Sequence, residues 1–195
     1  RGYQQASRSV EAAAKDTEGE MLFYRSKVCE GVFHRISSGA TRDGLEVFGK
    51  MEKGYLLSVA SNWDMYGEGY LSGHYFSEEA LRKQLEKAYP GLVFTEESPE
   101  KQINMYKRDK VGHILSLTVG NETISGEEFR KLLELPSSNF TMQAADGKIR
   151  FLCKGQGHGL GLSQYGGNVL AKEGKSYREI LRYYFPECEV KKEDS

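Results

Sequence analysis

The chain has 195 residues, 38% of them hydrophobic, and a formal net charge of −1. That length supports one sizeable core, and the evenly mixed charge offers no basic face for nucleic acid. No apolar run approaches the ~20 residues that a membrane-spanning helix needs, and four prolines without low-complexity runs argue against a disordered chain.

Val10 and Ala12 to Ala14 give residues 3–14 a helical bias, and Thr17-Glu18-Gly19-Glu20 reads as a turn. Residues 21–24 and 28–33 predict two short strands joined by a tight hairpin at Ser26-Lys27. The second strand runs into Phe33-His34-Arg35-Ile36-Ser37-Ser38-Gly39-Ala40-Thr41, a histidine followed by a hydroxyl-rich turn. Such a histidine either anchors structure by hydrogen bonding or handles protons near neutral pH. Residues 55–59 predict another strand, ending in Ser61-Asn62-Trp63-Asp64, with the lone tryptophan as a core anchor. The Gly- and Tyr-rich stretch 63–75 reads as a loop, whose Tyr66, Tyr70 and Tyr75 suit either stacking on sugar rings or ordinary packing.

Ser77 heads a capped helix over 77–85 that Tyr89-Pro90-Gly91 terminates. Residues 103–106 and 113–119 read as paired strands, and Ser125 with Glu128 forms a capping box opening a second helix over 125–133. Residues 140–143 and 148–153 predict a hairpin over Asp146-Gly147. Two last helices follow over 168–172 and 176–185, then a solvated tail at 191–195. This order predicts an α+β fold, a single domain over 1–190 with a largely antiparallel sheet and helices packed on it. Residues 62–110 are a candidate small lobe.

Glycine occupies every second position from Gly155 to Gly161 and doubles at Gly166-Gly167. Between these glycines stand Gln156, His158, Ser163, Gln164 and Tyr165, an inventory able to donate, accept and move protons. No Gly-Lys-Ser/Thr follows, so a phosphate loop is excluded. Ser163-Gln164-Tyr165 falls at the start of a helix, where unpaired N–H groups favour a polar or anionic ligand. Cys29, Cys153 and Cys188 are odd in number and widely spaced, with no Cys-x-x-Cys pair. A zinc site needs about four ligands, usually in close pairs, so the spacing does not support zinc even though Cys29 and His34 could lie near each other. No cofactor is expected, and the thiols read as buried or idle.

The stretch 154–167, followed by Ala171-Lys172-x-Gly174 and Tyr177-x-Glu179-Ile180-Leu181, resembles the signature of the stage II sporulation protein D family, which includes the amidase-enhancer domains. Phe33-His34 with Ser37-Ser38-Gly39-x-Thr41 is similar to that family's His-Ser-Gly-Gly-x-Thr stretch. Tyr55-Leu56-x-x-Val59-x-Ser61-x-Trp63-Asp64 and Ser125-Gly126…Arg130…Leu133…Leu135-x-Ser137-Ser138-x-Phe140 resemble two further blocks. Ser38 stands where the first paired glycine is usual, Phe48 where tryptophan is, and Asn62 where proline is.

The resemblance implies a peptidoglycan lytic transglycosylase, acting on glycan strands stripped of stem peptides and leaving 1,6-anhydro-muramic acid ends. The family's presumed catalytic glutamate lies in an upstream helix, so it is expected before Arg1, in keeping with a fragment or processed form that lacks an initiator methionine. Val10-Glu11-Ala12-Ala13-Ala14-Lys15 matches a later block, so Glu11 is not taken as catalytic. The resemblance implies a glycan cleft in which His158 supports catalysis. Gln156, Ser163, Gln164 and Tyr165 would bind substrate there, with His34, Ser37, Ser38 and Thr41 on the facing wall. It further implies amidase and membrane-protein partners in an engulfment complex. The location implied is extracytoplasmic, between mother-cell and forespore membranes, with any anchor upstream. Two rivals remain: a catalytically silent glycan-binding or amidase-activating module, and a structural module acting through the Tyr66–Tyr75 surface.

Overall fold

The computed structural model describes residues 2–95 and 98–192. In chain order the first elements are α1 (Gly2–Asp16), β1 (Glu20–Tyr24), β2 (Lys27–Val28), β3 (Phe33–His34) and α2 (Gly44–Phe48). There follow β4 (Leu71–Phe76), α3 (Glu78–Ala88), β5 (Ile103–Arg108), β6 (Ile114–Val119), β7 (Glu122–Ser125) and α4 (Gly126–Leu132). The last are β8 (Phe140–Ala145), β9 (Lys148–Lys154), β10 (Leu162–Ser163), α5 (Gln164–Lys172), α6 (Tyr177–Tyr184) and β11 (Glu189–Lys192). The fold is α+β, and every strand pair is antiparallel except β3 with β10. The residues pack as two units, one up to Gly31 together with those from Glu187 onward, the other Val32–Pro186.

In the terminal unit β1 is the central strand, flanked by β2 and β11. Arg25 and Ser26 both take positive φ, 49° and 62°, the backbone of a two-residue turn whose twist matches a hairpin. The turn therefore falls at Arg25-Ser26, one residue before the expected Ser26-Lys27. The ladder stops at Val28, so the strand expected over 28–33 is split into β2 and β3. Lys191 and Lys192, expected in a solvated tail, are exposed but belong to β11. Residues 193–195 lie outside the described ones.

The larger unit holds the core. Along β9 the burial alternates, turning Ile149, Phe151 and Cys153 inward while Lys148 and Lys154 face solvent, as the two-residue period of a strand requires. Sheet β4-β9-β8, sheet β5-β6-β7, and the buried faces of α3 (Leu81, Leu85) and α4 (Phe129) share one apolar cluster. Phe129, Phe140 and Phe151 meet at its centre with ring centroids 5.4–5.8 Å apart. Each fully buried ring of this size contributes roughly 1.5–3 kcal/mol. Residues 62–110 lie within this unit.

The expected caps at Ser77 and Ser125 are present, as is the Asp146-Gly147 turn, with φ of 51° and 70°. Residues 55–59 are not a ladder strand. Tyr55 and Leu56 bury by packing, and next to them Val59 O accepts from Thr41 N–H and Ala60 bridges to Ala40. The stretch read as a loop instead contains a 3-10 turn, Asn62–Tyr66, and strand β4, paired along its length with β9. Helix α5 begins at Gln164, not at residue 168.

Candidate functional site

Residues 32–42 and 155–163 run side by side in the larger unit and clasp each other through the backbone. The Gln156 carbonyl accepts from the N–H groups of both Arg35 (3.2 Å) and Ile36 (3.1 Å), and the Gln156 N–H donates back to Ile36 O at 2.7 Å. Farther along, Arg42 N–H donates to Gly159 O (2.7 Å) and Leu162 N–H to Val32 O (3.0 Å). The alternating glycines 155, 157, 159 and 161 all have positive φ. At Gly161 (φ 68°) an added Cβ would stand 2.2 Å from Val32 O, and at Gly157 (φ 108°) 2.8 Å from the His34 Cβ. Only glycine satisfies both the backbone sign and the close approach.

A buried carboxylate fastens this pair to the next segment. Asp64, fully buried, accepts from Ser37 N–H at 2.8 Å and from the Ser163 hydroxyl at 2.9 Å. The Ser163 Oγ in turn caps α5 by accepting from Gly166 N–H. Gly166 lets α5 sit against Ser61 and Tyr184, whose hydroxyls bond each other at 2.7 Å. Burial pushes the Tyr184 phenol well above its ordinary range.

A second buried network lies on the other side of the clasp. The Arg42 guanidinium, 1% exposed, donates to Asp109 (2.6 Å), Glu127 (3.4 Å) and the His158 carbonyl (3.2 Å). Glu127 also accepts from the Ser138 hydroxyl at 2.6 Å, so Ser138 Oγ accepts from His113 Nδ1–H at 3.0 Å. That tautomer leaves His113 Nε2 to accept from Ser38 Oγ at 3.3 Å. Burial, followed by the nearby Arg42 charge, holds His113 well below the ordinary histidine range.

The residues expected to form the site separate into two groups. His34, Ser37, Thr41 and Ser163 are buried and bonded within the protein. The Thr41 hydroxyl donates to Leu57 O and accepts from Val59 N–H. His34 Nδ1 faces the Leu160 carbonyl at 3.0 Å and therefore carries the proton, leaving a buried Nε2 with no partner among the described residues. Burial lowers the His34 pKa to about 4, partly opposed by that carbonyl. His158 Nδ1 accepts from Leu160 N–H at 3.1 Å, so this nitrogen serves the backbone. Burial lowers the His158 pKa as well. The two imidazoles stand edge-to-face, 5.8 Å between centroids. Ser38 is half-buried, and the half-buried Gln156 side chain donates to Gly69 O at 3.0 Å.

Gln164 and Tyr165 belong to the second group. Together with Arg35, Ile36, Glu68 and Asn168 they line an open hollow of about 370 Å³. Gln164, Asn168, Arg35 and Glu68 are exposed at its rim, and Tyr165 is half-buried. The hollow thus presents a guanidinium, a carboxylate and two amides beside an aromatic ring, groups suited to hydroxyl, acetamido and carboxylate recognition. Arg42, Asp64 and Asp109 escaped the sequence reading because only the fold reveals that distant segments bury and pair their charges. Asp64 sits inside a motif already picked out, which is the one available signal. Among the described residues no group of three or more His, Cys, Asp or Glu side chains is placed to hold a metal ion, and no helix is long and apolar enough to cross a membrane.

No protein-family model matches the chain. The stage II sporulation protein D of Bacillus amyloliquefaciens is 30% identical over 99% of this chain, and that of Bacillus subtilis is 27% identical over 99%. The chain spans 54% of the length of each. A shorter match, 42% identical over 50 residues, links 26% of the chain to 7% of the amidase enhancer of Bacillus subtilis. The glycine clasp, the His34–Thr41 turn and Asp64 are joined in one structural unit, and nearly the whole chain is similar to the stage II sporulation protein D of the two Bacillus species.

Proposed function

We propose that this chain is the glycan-holding part of a peptidoglycan lytic transglycosylase that remodels cell wall during sporulation. The observation that carries the reading is the hollow lined by Arg35, Glu68, Gln164, Tyr165 and Asn168. A muramic acid whose stem peptide has been removed carries a free lactyl carboxylate. Exposed Arg35 matches that charge with a bidentate donor pair, and the amides of Gln164 and Asn168 match sugar hydroxyl and acetamido groups. An amidase acting beforehand creates this substrate, which agrees with the likeness to a protein named amidase enhancer. The site of action is extracytoplasmic, where the glycan is.

The reaction needs one carboxyl group. As an acid it gives its proton to the glycosidic oxygen while the C1–O bond breaks. As a base it then takes the proton of the muramic 6-hydroxyl, whose oxygen closes on C1. No water is consumed and a 1,6-anhydro end results. In this reading the acid is a glutamate other than the residues assigned here to the cleft. The clasp's part is to hold Gln164 and Tyr165 rigid while charge develops on the sugar ring.

The test uses, as parent, the full-length stage II sporulation protein D of Bacillus subtilis, and this chain side by side on peptide-stripped glycan strands, with products read by mass for anhydro ends. Anhydro products from the parent, and binding without cleavage by this chain, are the expected outcome. Cleavage by both would move the acid into this chain and make Glu68→Gln the deciding variant. Binding by both without cleavage would favour the second reading, a silent glycan-binding or amidase-activating module. That reading draws on the internal bonding of His34, Ser37, Thr41 and Ser163, which offers no acid from the expected residues.

A further inference from the structure

Two cysteines that look unrelated in sequence meet in the terminal unit. Cys29 follows β2, and its N–H donates to the Leu22 carbonyl of β1 at 2.8 Å. Cys188 directly precedes β11, whose Glu189 pairs with Phe23. Phe23 pairs with Val28 on its other side, so each cysteine is the immediate neighbour of a residue paired with Phe23, one on either flank of β1. Their sulfurs lie 3.7 Å apart although 159 positions separate them. Both are half-buried, whereas the third cysteine, Cys153, is fully buried in the core of the larger unit.

We propose that Cys29 and Cys188 form a reversible disulfide that fastens β11 to the β1–β2 hairpin. A disulfide bond is about 2.05 Å long, so the sulfurs must close by roughly 1.7 Å. The oxidant is a second disulfide, in a small molecule such as glutathione disulfide or in a protein. The thiolate of one cysteine attacks it, forming a mixed disulfide and releasing one thiol. The second cysteine then displaces the other half. In sum the two cysteines lose two protons and two electrons, and the oxidant's S–S bond takes them up as two thiols. Burial, then the adjoining Cys29, pushes the Cys188 thiol up to about 12. Cys188 is therefore the poorer first nucleophile and the first attack falls to Cys29. Once Cys29 is bound in the mixed disulfide its charge no longer raises Cys188, which gives its proton to water and displaces the other half as a thiolate. The bond closes a long loop, which restricts the unfolded chain strongly. It draws on neither the glycan site nor the reaction proposed above.

The test treats the folded full chain with glutathione disulfide, unfolds it in iodoacetamide and reads the intact mass and a non-reducing peptide map. The expected product has lost about 2 Da before alkylation, takes up label at Cys153 alone, and yields a joined Cys29–Cys188 peptide pair. Its melting temperature rises by about 5 °C or more and falls back after dithiothreitol. Cys188→Ser is expected to stop at a glutathione adduct on Cys29. Label at all three cysteines, or stable glutathione adducts on the wild-type chain without a joined peptide pair, would overturn the proposal. An unchanged melting temperature in the joined form would remove the fastening role.

Discussion

The Asp64 carboxylate accepts the Ser163 hydroxyl at 2.9 Å across 99 positions of sequence, while its other oxygen holds the Ser37 N–H. One buried side chain thus joins the histidine turn, the tryptophan segment and the start of α5. Asp64→Ala strands two buried donors and is expected to cost about 3 kcal/mol or more. Asp64→Asn keeps an acceptor for Ser37 and can donate to Ser163 Oγ, so its cost is expected to be about 1 kcal/mol. Urea unfolding of the two variants beside the parent chain checks the ordering.

Replacing Gly161 and Gly174 separates two demands on glycine. Both have positive φ, 68° and 87°. An added Cβ at Gly161 meets Val32 O at 2.2 Å, whereas Gly174 has nothing within 4 Å. Gly174→Ala is expected to cost only the left-handed backbone penalty, about 1–2 kcal/mol. Gly161→Ala adds displacement of a backbone strand, and expression as soluble, folded protein is expected to fail. Circular dichroism of both variants decides.

Stability is expected to fall as pH drops from about 6.5 to about 4. His34 stays neutral in the folded chain down to a pKa of about 4 and takes up a proton near the ordinary value once unfolded. Its contribution is therefore complete above pH 6.5 and is lost as pH falls toward 4, on the order of 3 kcal/mol for this group. His113, also held low by burial, acts in the same direction. In His34→Gln the difference between urea midpoints at pH 7.5 and 4.5 is expected to shrink. An unchanged difference would mean that other groups carry the acid sensitivity.

Arg42→Met leaves Asp109 buried without its cation, a change expected to destabilise the larger unit by about 3–5 kcal/mol. Thermal unfolding of the variant measures it. Restoring charge balance with Asp109→Asn in the same chain is expected to recover part of the loss.

Arg35→Ala is expected to leave the melting temperature unchanged, because the side chain is exposed. It is expected to weaken binding of peptide-stripped glycan about tenfold, matching one lost charge-assisted contact of about 1.4 kcal/mol. Glycan that keeps its stem peptides lacks the free carboxylate and is expected to bind the variant and the parent alike. Sedimentation with both kinds of glycan provides the comparison.

Local chemistry was readable from sequence wherever it decides the outcome. Ser77 and Ser125 cap helices because their hydroxyls accept from N–H groups three residues on. Asp146-Gly147 turns because both residues tolerate positive φ. Residues 55–59 misled because an apolar run signals burial without specifying a ladder partner. The strand Leu71–Phe76 was hidden by Gly73 and His74, and its partner β9 lies far along the chain. At the site, Gln164 and Tyr165 were placed at a helix start by the glycine pattern, and they do line the hollow. Arg35, Glu68 and Asn168 gave no such signal, since nothing in their neighbours distinguishes a surface charge from one facing a cavity. The Cys29–Cys188 contact was equally hidden, because spacing rules capture only nearby pairs.

The strand order β11-β1-β2 has a consequence for biosynthesis. While the chain leaves the ribosome, β1 has only the two residues of β2 to pair with, and its other edge stays open until β11 is made. At about 5–20 residues per second that wait lasts on the order of ten seconds or more. During it Met21, Leu22 and Phe23 lie on an unpaired edge, the kind of surface that nascent-chain binding factors cover.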